Sequence, residues 1–114
     1  MSIAQRLFAE IATVRYVAVA TAGDVELHQR DGIDSASDSS SDEYEELLVN
    51  PTVLEITKRR GEIDCGGLHF VLIRYGNFYQ YVIPTDKGHI SIAIEPNANI
   101  DTTLREINQI IGVE

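Results

Sequence analysis

Tryptophan is absent from this chain, cysteine occurs once, and 9 basic residues face 18 acidic ones among 114. Each scarcity excludes something. With Cys65 alone, no disulfide can close within the chain. A reactive thiol needs neighbours that stabilise its thiolate, whereas Cys65 follows Glu62 and Asp64; a structural, half-buried thiol is the better reading. The formal net charge is -9, and Lys58-Arg59-Arg60 is the only basic cluster. Nucleic acids and anionic membranes both require grouped Lys and Arg, so neither is expected as a partner. A basic protein surface is, because complementary charge speeds encounter. No apolar run approaches the ~20 residues of a membrane-spanning helix. The stretch from Met1 to Arg6 lacks the uncharged apolar block of a signal peptide. Cytoplasmic residence is the expectation.

What is present suits one globular domain over residues 1–114, with hydrophobic residues at 44%. Ile3, Leu7, Phe8, Ile11 and Val14 recur at helical spacing, so an amphipathic helix comes first. Tyr16 to Ala20 and Val25 to Arg30 then read as a hairpin around Ala22-Gly23-Asp24. Residues 31–41 carry almost no apolar content and are expected to form a flexible acidic, serine-rich loop. Ser40 with Glu43 matches a capping box opening a second helix. Tyr44, Leu47, Leu48, Val53, Leu54 and Ile56 would supply its apolar face. Asn50-Pro51 is expected to break or kink this helix, and Gly61 to end it, with Lys58, Arg59 and Arg60 in the last turn.

Three strands follow: Leu68 to Tyr75, Phe78 to Ile83 ahead of Pro84, and His89 to Ile94. In the last, Ile90, Ile92 and Ile94 share one face, while Ser91 and Ala93 keep the other small. A final helix, capped by Asp101 and ended by Gly112, carries Leu104, Ile107, Ile110 and Ile111 as its stripe. The order α-β-β-α-β-β-β-α predicts an α+β fold, a three-layer α/β/α sandwich around an antiparallel sheet of about five strands.

The chemistry-bearing residues form no recognisable set. His28, His69 and His89 sit on separate strands without metal-ligand spacing, so no metal is expected. Asp34, Asp38, Asp42 and Glu45 mimic the ligand spacing of a calcium loop, but Ala36 and Ser39 occupy positions that need a ligand and a glycine. Gly66-Gly67 and Gly76 match no phosphate-binding motif and read as turns. No nucleophile, acid and base stand out together, so neither an enzyme nor a cofactor is expected. Tyr75, Phe78, Tyr79 and Tyr81 cluster on the central hairpin, where they suit cross-strand packing or a partner surface.

Phe70 to Pro84, His89 to Pro96 and the closing helix from Ile100 to Ile111 together resemble the Roadblock (dynein light chain) family. The resemblance covers nearly the whole chain and rests on element order, hydrophobic pattern and turn placement. It implies a Roadblock/profilin-like fold and a homodimer, in which the edge strand at Leu68–Tyr75 pairs with its copy and the second helices pack side by side. Leu47, Leu48, Val53, Leu68, Phe70, Leu72 and Arg74 would then line the dimer interface. It further implies a non-enzymatic regulator or scaffold for a small Ras-like GTPase or a multi-protein assembly. The partner would dock on the outward side of the second helix at Glu45, Glu46, Glu55, Lys58 and Arg59. The alternative is a profilin- or PAS-like domain sensing a small molecule. It needs a concave apolar space in the sheet, which three covering helices would deny.

Overall fold

Ser2 opens the first helix by a reciprocal cap. Its hydroxyl accepts from the Gln5 N–H at 3.1 Å, and Gln5 Oε1 accepts from the Ser2 N–H at 2.9 Å. The computed structural model, which describes residues 1–113, runs α1 (Ile3–Glu10), β1 (Val14–Thr21), β2 (Asp24–Gln29), α2 (Ser39–Tyr44), a π-helical turn (Glu45–Val49), α3 (Asn50–Asp64), β3 (Val71–Arg74), β4 (Tyr79–Thr85), β5 (Gly88–Ile94) and α4 (Ile100–Ile111). The strands form one antiparallel sheet in the order β2-β1-β5-β4-β3. This is the expected α+β sandwich, with α1 and α4 on one face and the long helix from Ser39 to Asp64 on the other.

The two faces differ in chemistry. Under α1 and α4 the core is apolar: Leu7, Val17, Tyr81, Ile92, Ile94 and Ile107 are all buried there. Each such side chain contributes about 1.5–3 kcal/mol on leaving water. The opposite face is largely polar, with Tyr16, Gln80, His89 and Ser91 buried beneath the long helix. β5 shows why. Its isoleucines point to the apolar side, as expected, and the alternation of a strand turns Ser91 and Ala93 to the other.

Several boundaries differ from expectation. Asp38, not Ser40, caps α2, its Oδ1 accepting from the Ser40 N–H at 2.7 Å, so Ser39–Ser41 are helical rather than loop. Upstream, the Asp34 and Ser35 carbonyls accept from Arg15 Nη2 at 2.8 and 2.9 Å. That guanidinium is buried and also reaches Glu95 Oε1 at 2.7 Å and the Asn77 carbonyl at 3.2 Å. Asn50-Pro51 does not break the long helix. The turn before it is widened to a π turn, in which the Asn50 N–H bonds to the Glu45 carbonyl. The extra residue makes room for a proline ring that has no N–H to give, and α3 restarts with Pro51 in its first turn. Thr52 Oγ1 donates back to the Leu48 carbonyl at 2.6 Å.

Gly61 is not the end of that helix but a buried position within it, so Lys58, Arg59 and Arg60 lie one turn before the terminus. Its carbonyl accepts from both Cys65 and Gly67, and a Cβ there would meet the Gly67 backbone at 3.1 Å. That contact holds Gly67 and Leu68 against the helix instead of alongside β4. β3 is therefore shorter than the expected Leu68–Tyr75. At the far end, Asn99 rather than Asp101 caps α4, accepting from the Thr102 N–H at 3.1 Å, and Gly112 ends it in the left-handed region as expected.

Gly88 sits where β5 passes β1, and a Cβ on it would collide with the Ala20 carbonyl oxygen and lie 2.8 Å from its carbon. Gly88→Ala should therefore lower stability by about 3 kcal/mol, measured as a shifted midpoint with unchanged slope in urea unfolding.

Candidate functional site

An amphipathic helix ordinarily hides its leucines. The long helix does the reverse along much of its length. Its buried positions are Glu46, Asn50, Leu54 and Gly61, a single strip of helical spacing. Leu47 is 55% exposed, Leu48 51%, Ile56 63% and Ile63 76%. A helix holding apolar residues in water while burying a carboxylate needs two explanations, one for each side.

The inner side is a buried hydrogen-bond network, in which Asn50 Oδ1 lacks a donor among the described residues. Glu46, 1% exposed, accepts from the Tyr16 hydroxyl at 2.8 Å through Oε2, and from Asn50 Nδ2 at 2.9 Å through Oε1. His89 Nε2 lies 2.7 Å from the same Oε1. Asn50 reaches Ser91 Oγ at 3.3 Å, and Gln80 also donates to Ser91. Burial first, then the Glu46 charge, holds the Tyr16 hydroxyl protonated far above the usual phenol range. One residue earlier, Glu45 is only partly buried. Its Oε1 accepts from the Tyr75 hydroxyl at 2.9 Å, while its Oε2 is buried with no donor. Desolvation raises the carboxyls of Glu45 and Asp42 above their ordinary range, and pushes Tyr75 up to about 12.

The outer side adjoins an open sheet edge. β3 pairs with β4 alone, so its other edge has no strand beside it among the described residues. Phe70 is 46% and Leu72 37% exposed, Leu68 and Val53 are half-buried, and Arg74 lies 5.0 Å over the Tyr79 ring. The structure thus brings Phe70, Leu72 and Arg74 together at one edge, and Leu47 and Leu48 to the outside of the helix.

No protein-family model matches the chain, and no curated protein does. Among solved structures, it is similar to the Roadblock/LC7 domain from Streptomyces avermitilis, with a TM-score of 0.70 at 12% identity, over 95% of this chain and 88% of that one. The fold is Roadblock-like. Within this Roadblock-like frame, the outward residues that sequence reasoning assigned to a partner divide. Glu55, Lys58 and Arg59 are exposed, Glu55 and Arg59 pairing at 2.7 Å. Glu46 is not outward at all. The hydrophobic pattern pointed it at solvent, whereas Tyr16 and His89 of the sheet, with Asn50 of its own helix, hold it inside.

Other expectations fall out similarly. His28 is exposed on β2, His69 is exposed ahead of β3, and His89 is buried against Glu46. Cys65 is exposed rather than half-buried, since it caps a helix end at the surface. Tyr81 belongs to the apolar core with its hydroxyl on Asn108 at 2.7 Å, and Tyr75 to the opposite side. Among the described residues, no helix is long and apolar enough to cross a membrane. The long helix does not seal the sheet, either. Near its start a cavity of about 430 Å³ opens between the helix and the strands.

Two outcomes follow. Glu46→Ala strips three buried polar groups of their partner and should cost about 3 kcal/mol in urea unfolding. The raised carboxyl of Glu45 favours its neutral form in the fold, so that contribution is present below the unfolded value near 4.5 and lost as pH rises through the folded one. Glu45→Gln, which mimics the neutral form and still accepts from Tyr75, should raise Tm at neutral pH. The gain should vanish in thermal melts below the unfolded value.

Proposed function

We infer that this chain is a homodimeric, non-catalytic regulator or scaffold that binds a small Ras-like GTPase or a multi-protein assembly. The observation that carries the reading is the inverted long helix beside the open β3 edge. Leu47, Leu48, Ile56, Phe70 and Leu72 all expose apolar surface on the protomer. Leu47, Leu48 and Ile56 lie on the long helix, whereas Phe70 and Leu72 lie at the β3 edge on the side of Tyr81. Exposed apolar surface marks interaction sites, and an unpaired edge strand is a template for pairing with another chain. A second copy meets both requirements: β3 joins its equivalent across a two-fold axis, and the long helices pack along their outer leucines. Such a self-complementary contact closes on itself as a dimer.

The Roadblock-like fold supports the same assignment, as does the net charge of -9, which suits a basic partner surface. Glu55, Lys58 and Arg59 remain exposed beside the helix seam for that partner. In size-exclusion chromatography with light scattering, the wild type should run as a dimer. Leu48→Glu and Leu72→Glu, which alter only exposed positions, should each yield a folded monomer with an unchanged far-ultraviolet spectrum. A wild type that remains monomeric at high concentration would overturn the assignment.

A further inference from the structure

An open sheet has two edges, and a dimer joined through β3 covers only one of them. β2 forms the other, paired with β1 alone among the described residues. Its pairs, from Tyr16 opposite Gln29 to Thr21 opposite Asp24, run without a bulge. The phase of that ladder is fixed just beyond it, where the Arg30 N–H donates to the Arg15 carbonyl at 2.9 Å. Bonded and non-bonded pairs alternate in an antiparallel ladder. Asp24, Glu26 and His28 therefore turn their backbone groups to β1, while Val25, Leu27 and Gln29 turn theirs outward. No other backbone bond among the described residues takes these outward groups up.

Edge strands are usually guarded by lysine, proline, a bulge or very short length. β2 has none of these. It has acid instead: Asp24 and Glu26 on the strand, and Asp31 and Asp34 just after it, are all exposed. Arg30, the one Lys or Arg in residues 24–43, is turned inward. Its guanidinium donates to the carbonyls of Val14, Phe8 and Ile11 at 2.7, 2.8 and 3.1 Å. Such an edge repels a second copy of itself, because two β2 strands would set like charges side by side. It attracts an extended segment of the opposite charge. The two sides of the strand also differ. Leu27 packs on Tyr16, Ala18 and Ala93 under the long helix, with Val25 on the same side, whereas Glu26 and His28 lie on the side of α1 and α4. An added strand would set apolar side chains beside Val25 and Leu27 and cations beside Asp24 and Glu26, in alternation.

We propose that the outer edge of β2 takes up an extended basic segment of a partner protein as a sixth strand, its backbone bonding to Val25, Leu27 and Gln29. In a dimer joined through β3, the two β2 strands lie at opposite ends of the joined sheet and stay free. Either reading can therefore fail without the other.

A capped heptapeptide of alternating lysine and valine, with lysine at both ends, tests it by titration into the full chain at low salt. Saturable binding with Kd of about 1 mM or tighter is expected, with slowed amide exchange at Val25, Leu27 and Gln29. The same peptide with N-methylated valines keeps the charge but lacks the donors, and should bind at least about tenfold more weakly. A glutamate–valine peptide should show no saturable binding. Glu26→Lys, at a side chain 76% exposed, should lose about fivefold in affinity. Val25→Pro deletes one outward N–H while sparing the β1 ladder, and should also lose about fivefold. Glu62→Lys, the same charge change at an exposed position of the long helix, should lose nothing. No saturable binding, exchange slowed at β3 instead, equal binding of the N-methylated peptide, or equal affinity of Glu26→Lys would each overturn the proposal. So would protection of Val25 and Leu27 that grows with protein concentration alone, which would put a second copy on this edge.

Discussion

A single buried carboxylate sets how the long helix sits on the sheet. Glu46 receives the Tyr16 hydroxyl from β1 and the Asn50 amide from its own helix, and lies against His89 of β5. An ionisable group at 1% exposure is tolerable only where its lone pairs are met, and here sheet and helix together meet them. The attachment is directional. Apolar contacts would let the helix rotate or slide, whereas polar contacts from two strands, by Tyr16 and His89, to one side chain admit one rotation and one height. The π turn belongs to the same device, because it resets the helix around Pro51 while keeping Glu46 and Asn50 on one strip.

The outward apolar surface follows from that rotation. With Glu46, Asn50 and Gly61 turned inward, Leu47, Leu48, Ile56 and Ile63 have no place left but the outside. Division of labour between the two sheet faces makes this affordable: the face under α1 and α4 holds the main apolar cluster, so the other face is free to trade hydrophobic burial for orientation. The same polar attachment also explains the cavity. A helix held by side chains near Asn50 rather than packed flush with the sheet leaves space at its start, where small residues such as Ala93 line the floor. The outward apolar surface and the cavity thus trace to one residue.

Much of this architecture was legible beforehand. Element order, the hairpins, the isoleucine alternation of β5 and the closing glycine at Gly112 all rest on short-range periodicity or turn chemistry, while the edge position of β3 came with the family resemblance. Both are written in neighbouring residues. The helix starts were less so. Ser40 and Asp38 are equally good caps by type, and only the position of the Arg15-held turn at Asp34 and Ser35 decides between them. Gly61 misled for a related reason: a glycine can end a helix or admit close backbone approach, and the approach of Gly67 lies several residues away.

The sequence alone determined which segments are helix or strand, because that choice depends on contacts between near neighbours. Only the tertiary structure decided which side of the long helix faces the sheet. Its hydrophobic pattern points the leucines inward, and the answer depends instead on Tyr16, Ser91 and His89, polar groups carried by strands far along the chain. Burying them without a partner costs more than leaving the leucines in water.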